Sequence, residues 1–506
     1  MRVLFIDILR TILDEVWPSV EHSLGLMYVS SSLKKEFGNS IDIRIRTLIS
    51  KPNQSEEERS KVRALLVEWE PEIVGIRCLT IGKDSLGVVA ETVKSWNRNC
   101  FLVVGGPYAT DDPQEVLRGG NVDCVVIGEG EVTATELVRR LLEQSSFHDV
   151  PGIAYSANNG IVRTPPRCSI PDLDSLPYPD YDLIDLEAFT NQYLTFSAKI
   201  YQPHANILTT RGCAYRCMYC HHILGKKFRA RSAENVLAEI RFIHERYGVT
   251  DFQIIDDIFN FDIDRAKTVC NLLINSGMKL TLSFPNGVRG DIMDEELIDK
   301  MAEAGTKYVS YAVETASARL QKLIRKNLDL DRVSRAIEYT AKAGIITRGF
   351  FMLGFPTETE AEALQSIEFA KASSLCGATY FTVVYFPGTE LYRLAQSLGC
   401  FQTQGYNVLR DYVQVGDGPY NYSLAKLAEL KKKAIREFAF TRERIANALR
   451  ILPNYFTSRE IDGFFMAYVV SSKAKIDEIQ DEWVKHVLHR YFLVAERFSK
   501  VREFYV

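Results

Sequence analysis

Over the first 150 residues, short apolar runs alternate with longer stretches in which apolar residues recur every three or four positions. The runs RVLFIDI, IDIRIRTL, IVGIRCL, FLVVGG and CVVIGEG have the length and β-branched content of strands, while LGLMYVSSSLKKEF and DSLGVVAETVKSW carry helical spacing. This alternation predicts an α/β fold with a doubly wound, mostly parallel sheet over 1–150. In such sheets ligands bind beyond the carboxyl ends of the strands. Gly105 and Gly106 end one strand and Gly128 and Gly130 another, so they stand where a ligand would approach, although tight turns also ask for glycine.

From 151 to 195 the pattern loosens. A hairpin is predicted around Asn158 to Gly160, followed by a proline-rich linker. A second strand-helix series occupies 196–400, with strands in ANILTT, DFQIID, KLTLSFPNG, KYVSYAVE, ITRGFFMLG and TYFTVVYFP. Six such units predict a partial (β/α)6 barrel whose chemistry lies at the carboxyl ends of its strands. The remainder, 401–506, reads as a helical domain, with SLAKLAELKKKAIREFAFTRERIANALR and DEWVKHVLHRYFLVAERFSKVREFYV as its main segments.

Charge narrows the partners. Lys and Arg total 61 against 65 Asp and Glu, so no global attraction to nucleic acid or an anionic membrane is expected. No stretch is apolar for long enough to span a bilayer, and MRVLFIDILRTILDEV carries acids within its apolar run, unlike a signal peptide. The ten cysteines are mostly isolated in strand-like runs, which suggests reduced thiols in a cytoplasmic protein.

One stretch departs from that isolation. TTRGCAYRCMYCHH, residues 209–222, places Cys213, Cys217 and Cys220 within eight positions, directly after the first strand of the barrel series. Thiolates this close bind soft metal, either zinc or an iron-sulfur cluster. Structural zinc wants four protein ligands, and His221 or His222 is available as the fourth.

The C-x3-C-x2-C spacing after a first barrel strand resembles the radical S-adenosylmethionine superfamily. The resemblance implies a 4Fe-4S cluster held by Cys213, Cys217 and Cys220, with the fourth iron left open to chelate the amino and carboxylate groups of S-adenosylmethionine. A fourth cysteine would fill the position the chemistry needs. It further implies reductive cleavage of the sulfonium to a 5′-deoxyadenosyl radical, with electrons from a donor such as flavodoxin or ferredoxin. By the same resemblance, Tyr219 lies beside adenine, and Asp256 and Asp257 in IIDDIFNFD meet the amino group, helix capping being their alternative role. VETASARLQKLIRK places Glu314 and Thr315 at the nucleoside or methionine end, with Thr315 and Ala316 standing where Ser and Gly are usual. RGFFMLGFPTET places Gly354 and Phe355 against adenine, and YFPGTELY closes the barrel.

HSLGLMYVSSSL, VVGGPYATDDPQEVL and DCVVIGEGEVTATELV look like the Rossmann-like cobalamin-binding domain that precedes the barrel in the cobalamin-dependent members. This implies a corrinoid site at Leu24, Gly25, Gly105, Gly106, Tyr108, Gly128, Glu129 and Gly130, with Gly128 to Glu131 on the nucleotide-tail side. The Asp-x-His-x-x-Gly motif is absent, His22 has other neighbours, and Tyr108 stands where a histidine is often found. Cobalt without a protein imidazole is therefore expected, a sheet kept only as a scaffold being the alternative.

Together these resemblances imply a cobalamin-dependent radical methyltransferase acting on an unactivated carbon of a small-molecule, lipid or natural-product substrate. Ring contraction, cyclisation or oxidation on the same frame is the alternative chemistry. A methylthiotransferase of transfer RNA is opposed by the apolar settings of Cys78, Cys100 and Cys124, and a non-enzymatic cobalamin carrier by the three clustered cysteines. No residue is assigned as general acid or base. The segment after 400 is a packing domain or a wall over the substrate.

Overall fold

The computed structural model describes residues 1–10, 23–50, 54–158, 160–186, 204–221, 223–399, 424–439, 441 and 444. The first sheet contains β1 (Arg2–Arg10), β2 (Asp42–Ser50), β3 (Ile73–Cys78), β4 (Phe101–Gly105), β5 (Cys124–Val126), β6 (Ile153–Ala157) and β7 (Gly160–Arg163). Their order is β2-β1-β3-β4-β5-β6-β7, parallel from β1 to β5 and antiparallel over the last two. The hairpin expected near Asn158 thus forms. It extends the first sheet, because Ile153 and Ala154 pair with the free edge of Val126 and Val125.

The alternation within β1 accounts for both faces of this sheet. Val3 and Phe5 pack with Met27 and Leu33 of helix Leu24–Phe37, whereas Leu4, Ile6 and Ile8 pack with Leu66, Val89 and Val93 of helices Ser55–Trp69 and Lys83–Trp96. Successive side chains of a strand point to opposite faces, so a sheet apolar on both needs helices on both. The strand order reverses between β1 and β3, which opens a crevice at their carboxyl ends.

The second sheet begins with β8 (His204–Ile207). A short antiparallel ribbon follows, β9 (Thr210–Arg211) paired with β10 (Arg229–Ala230). Then come β11 (Asp251–Ile254), β12 (Thr281–Val288), β13 (Thr306–Glu314), β14 (Ile346–Leu353) and β15 (Gly377–Thr382). β8 and β11 to β15 are all parallel, in the order β15-β14-β13-β12-β11-β8, which is the partial six-stranded barrel.

The run ANILTT, expected as one strand, is divided. Asp256 accepts from Thr209 N at 2.6 Å, Thr210 N at 3.1 Å and Thr209 Oγ1 at 2.5 Å, so these groups leave the barrel ladder and the chain turns into the ribbon. Barrel helices start at side-chain caps, among them Ser232, Asp262, Asp294, Asp329 and Thr359. Each cap satisfies an orphan N–H of the first turn.

Of the expected helical domain, Leu424–Ala439 is helix, with Leu427, Leu430, Ala434 and Phe438 buried in the barrel's core cluster. Lys431 Nζ donates to Thr382 Oγ1 at 2.9 Å near the carboxyl end of β15. At the other end of that strand, Arg444 donates to Leu375 O at 2.5 Å and to Lys371 O at 2.6 Å. The helix therefore lies along the open edge of the barrel. The segments GYNVLRDYVQVGDGPYNYS and DEWVKHVLHRYFLVAERFSKVREFYV, with His22, His222 and Cys400, lie outside the described residues. Among the described residues no helix is long and apolar enough to cross a membrane.

His204 opens β8 opposite Asp251, and burial depresses its pKa from 6.5 to about 4. The unfolded chain therefore takes up this proton well before the folded one does. Stability is intact above pH 6.5 and is lost as pH falls through the window toward 4, by about 2 kcal/mol between pH 7 and 5. Urea unfolding of wild type and His204→Gln across that range should show the wild type losing this much more. Parallel pH profiles would contradict the assignment.

Candidate active site between the two sheets

The three cysteines sit on the loop that joins β9 to β10, so the ribbon closes the loop at its base. Gly212 makes the entry possible. Its φ is +80°, and a Cβ there would lie 2.5 Å from Lys227 O and 3.0 Å from both Gly225 O and Leu224 O. Only glycine satisfies both the left-handed backbone and the crowding. The far side of the loop rests on the barrel, where Met218 N donates to Ile324 O and Leu391 N to Met218 O, each at 2.9 Å. Cys217 is buried, Cys213 half-buried and Cys220 exposed.

The thiols differ in their electrostatics. Burial raises the pKa of Cys213. The hydrogen bond from Cys220 holds Cys217 below the ordinary thiol range against burial, with Lys326 assisting, and the same bond raises Cys220. Lys326 is kept charged despite burial by Glu314, Cys217 and Cys220, and its Nζ lies 3.4 Å from Glu314 Oε1. Tyr219 Oη donates to the same oxygen at 3.1 Å. A cation beside thiolates offsets the charge of an anionic cluster. Among the described residues, no three His, Cys, Asp or Glu side chains are arranged to hold a single metal ion. A cluster instead takes each thiolate at a different iron, and the donor set fits it.

Four residues expected near S-adenosylmethionine gather behind this loop. Glu314 ends β13 with φ +67°, a left-handed conformation unusual outside glycine, and it joins Tyr219 and Lys326. Gly354 has φ +96°; its N–H donates to Glu358 Oε2 at 2.6 Å and its carbonyl accepts from Tyr385 Oη at 3.0 Å. Phe355 is fully buried, its ring centroid 6.4 Å from that of Tyr219, so its side chain is packing.

Two others are placed differently from the expectation. The Thr315 hydroxyl is wholly buried, 3.3 Å from Ser366 Oγ and accepting from Ser317 N, so it braces helix Glu360–Ala372. Asp256 is equally committed, both oxygens being occupied by Thr209 and Thr210; burial raises its pKa against those bonds. Asp257 is the open member of the pair. Asp257 lines the cavity described next, and desolvation, then Asp256, raises its pKa.

A cavity of about 510 Å³ lies between the carboxyl ends of the first sheet and the barrel. Leu24, Gly25, Gly105, Gly106, Gly128, Glu129 and Gly130 line it from one side, and Leu208, His221 and Asp257 from the other. Gly25 is informative. It sits in a helix, its φ is ordinary, and a Cβ there would meet nothing within 4 Å, so neither backbone nor packing requires glycine. The position faces the cavity, so the missing side chain leaves room for a ligand to approach the backbone there. Helices Leu24–Phe37 and Gly130–Leu142 both start at this cavity without side-chain caps, leaving N–H groups for an anionic or amide-bearing ligand. These features fit a corrinoid with a phosphate-bearing tail.

Tyr108 does not join this wall. It is 5% exposed within the apolar cluster of the first sheet, and burial raises its pKa strongly. Glu129 lines the cavity, but both oxygens are bonded to Arg211, Arg229 and Ile170 N. The structure adds residues that sequence reasoning missed. Arg77 lines the cavity and donates to fully buried Asp7 at 2.9 Å, and Asp111 Oδ1 lies 3.3 Å from Nδ1 of His221, which the sequence had offered only as a fourth ligand for zinc. The signal for Arg77 and Asp7 was present as single charges in two apolar strand runs; their register makes them neighbours.

The comparisons agree with this geometry. Residues 207–370 match the Radical SAM superfamily and residues 10–138 the B12 binding domain. An uncharacterized methyltransferase of Pyrococcus horikoshii is 30% identical over 74% of this chain and 78% of its own length. Cytidylyl-2-hydroxyethylphosphonate methyltransferase of Streptomyces wedmorensis is 26% identical over 88% of this chain and 91% of its own. The structure of the cobalamin-dependent S-adenosylmethionine radical enzyme OxsB, with aqua-cobalamin and S-adenosylmethionine bound, shares the fold with a TM-score of 0.69. Its identity is 15%, and the match covers 99% of this chain and 80% of that one. With a thiol loop and a glycine-lined cavity joined on one two-domain frame, the chain belongs to the cobalamin-dependent radical S-adenosylmethionine enzymes.

Proposed function

We propose that this enzyme is a methyltransferase that alkylates an unactivated carbon of a small-molecule, lipid or natural-product substrate. The observation that carries the reading is that the cavity wall contains both Gly105–Gly106 of the first sheet and His221, the residue after Cys220, so the cavity proposed for the corrinoid reaches the end of the thiol loop. When bound, the reduced cluster with S-adenosylmethionine supplies a radical that abstracts hydrogen, and cobalamin supplies a methyl group.

The chain's own residues then have separate tasks. Cys213, Cys217 and Cys220 hold three irons, and their number leaves the fourth for S-adenosylmethionine. Lys326 offsets the thiolates' charge, and the Tyr219–Glu314–Lys326 group borders the nucleoside together with the backbone of Gly354 and Phe355. Asp257 presents its carboxylate where an amino group is to be held, while Asp256 positions it by fixing the preceding turn. Leu24, Gly25, Gly105, Gly106, Gly128 and Gly130 let the corrinoid approach the backbone. Helix Leu424–Ala439 closes the open side of the barrel against water, which a carbon radical requires. An electron donor such as flavodoxin or ferredoxin reduces the cluster.

Changing Cys213, Cys217 and Cys220 together to alanine should abolish reconstituted iron, on the order of four per chain in wild type, and all 5′-deoxyadenosine formation. Gly212→Ala should leave the barrel folded but cut iron content at least severalfold, since the loop entry is forced open. Full iron in either variant would contradict the cluster assignment.

Gly25→Leu separates cofactor space from folding. The substitution is favourable to a helix and its Cβ meets no neighbour within 4 Å, so the melting temperature of the cofactor-free protein should not fall. Affinity for hydroxocobalamin should drop by roughly tenfold or more as the side chain fills the approach path, about 1.4 kcal/mol or greater. Unchanged affinity would remove the corrinoid from this cavity.

A further inference from the structure

The base of the thiol loop is bound to the wall of the first-sheet cavity by a buried ionic bridge. Arg211 and Arg229 are paired residues of the ribbon. Both reach Glu129, Arg211 Nη1 at 2.8 Å and Arg229 Nη1 at 2.8 and 3.0 Å from its two oxygens. The other terminal nitrogen of Arg211 donates to Glu131 at 2.6 Å. Ile170 N adds a bond to Glu129 at 2.8 Å, and Arg229 returns bonds to Ile170 O and Leu224 O. All four charged side chains are at most 8% exposed, and two positive charges face two negative ones.

Its location is what gives the bridge more than a structural meaning. Glu129 and Glu131 flank Gly130, where the cavity-facing helix begins; Arg211 stands two residues before Cys213, and Arg229 ends the same loop. The cavity wall and the cluster loop are thus joined by directional bonds in a low-dielectric setting. Isolated buried ion pairs add little net stability over apolar packing, but they fix geometry.

We propose that the Glu129–Glu131–Arg211–Arg229 bridge couples the two cofactor sites, so that a corrinoid filling the cavity tightens the cluster loop and the cluster in turn tightens the corrinoid. These four are positioning residues: they hold the wall and the loop in one register while the cofactors do the chemistry. The inference rests on the reading that the cavity takes a corrinoid. Coupling of binding free energies is reciprocal, so hydroxocobalamin affinity reports it directly and the rate of iron loss follows it in direction, both without a substrate.

The test follows the rate at which a chelator strips iron from the reconstituted protein, with and without hydroxocobalamin, in wild type and in Glu129→Gln. Corrinoid should slow iron loss about tenfold in wild type and less than twofold in the variant. The cluster should likewise raise hydroxocobalamin affinity about tenfold in wild type only. Arg229→Lys keeps the charge but loses the fork, and should show intermediate coupling; it serves also if Glu129→Gln does not fold. Equal slowing in wild type and both variants would mean that the corrinoid merely shields the loop, and would overturn the proposal. Wild type that takes up iron but no hydroxocobalamin would contradict the corrinoid reading instead. The bridge would then be judged on the corrinoid-free rate, which should rise severalfold in Glu129→Gln, an unchanged rate overturning it.

Discussion

A cluster that activates S-adenosylmethionine has to keep one iron free of protein, and on the proposed reading three thiols on one loop meet that constraint. Several neighbouring groups hold that loop in shape. Gly212 turns the chain where any side chain would strike three carbonyls, the ribbon of Arg211 and Arg229 fixes the loop's base, and Ile324 O anchors its middle. Lys326 supplies the compensating charge. Burial pulls its pKa down, and its carboxylate and thiol neighbours outweigh that and keep the cation in place.

The two domains meet where both sheets end. Ligand sites in parallel sheets lie beyond the strands' carboxyl ends, and here two such ends face each other across one cavity. The glycines on the first-domain side divide into those that turns demand, such as Gly106 and Gly128 at positive φ, and Gly25, which nothing in the protein demands. Opposite it, Asp256 spends its whole hydrogen-bonding capacity on Thr209 and Thr210, which directs the chain into the ribbon and leaves Asp257 facing the cavity.

Much of this was legible in the sequence because strand and helix periods are local. The five parallel strands of the first sheet, the hairpin beyond them and the six barrel strands follow from patterns a few residues long, as does the cysteine spacing. What was not legible depends on partners far apart in the chain. ANILTT looks like one strand until Asp256 divides it. Tyr108 and Thr315 occupy motif positions, yet one turns into an apolar cluster and the other toward Ser366. Glu129 is a plausible cavity residue by sequence, and only the folded chain brings Arg211 and Arg229 to it. Long-range ion pairs of this kind carry no periodic signature.

The central claim is that the cluster loop borders the cavity that takes the corrinoid, and the magnetic interaction of the two cofactors tests it most directly. Protein reconstituted with iron and sulfide, loaded with hydroxocobalamin and reduced to the paramagnetic cluster and cobalt(II), should give electron paramagnetic resonance signals that are mutually broadened and relax faster than either does alone. Two unperturbed signals from protein in which both cofactors are bound at full occupancy would place them apart and contradict the account.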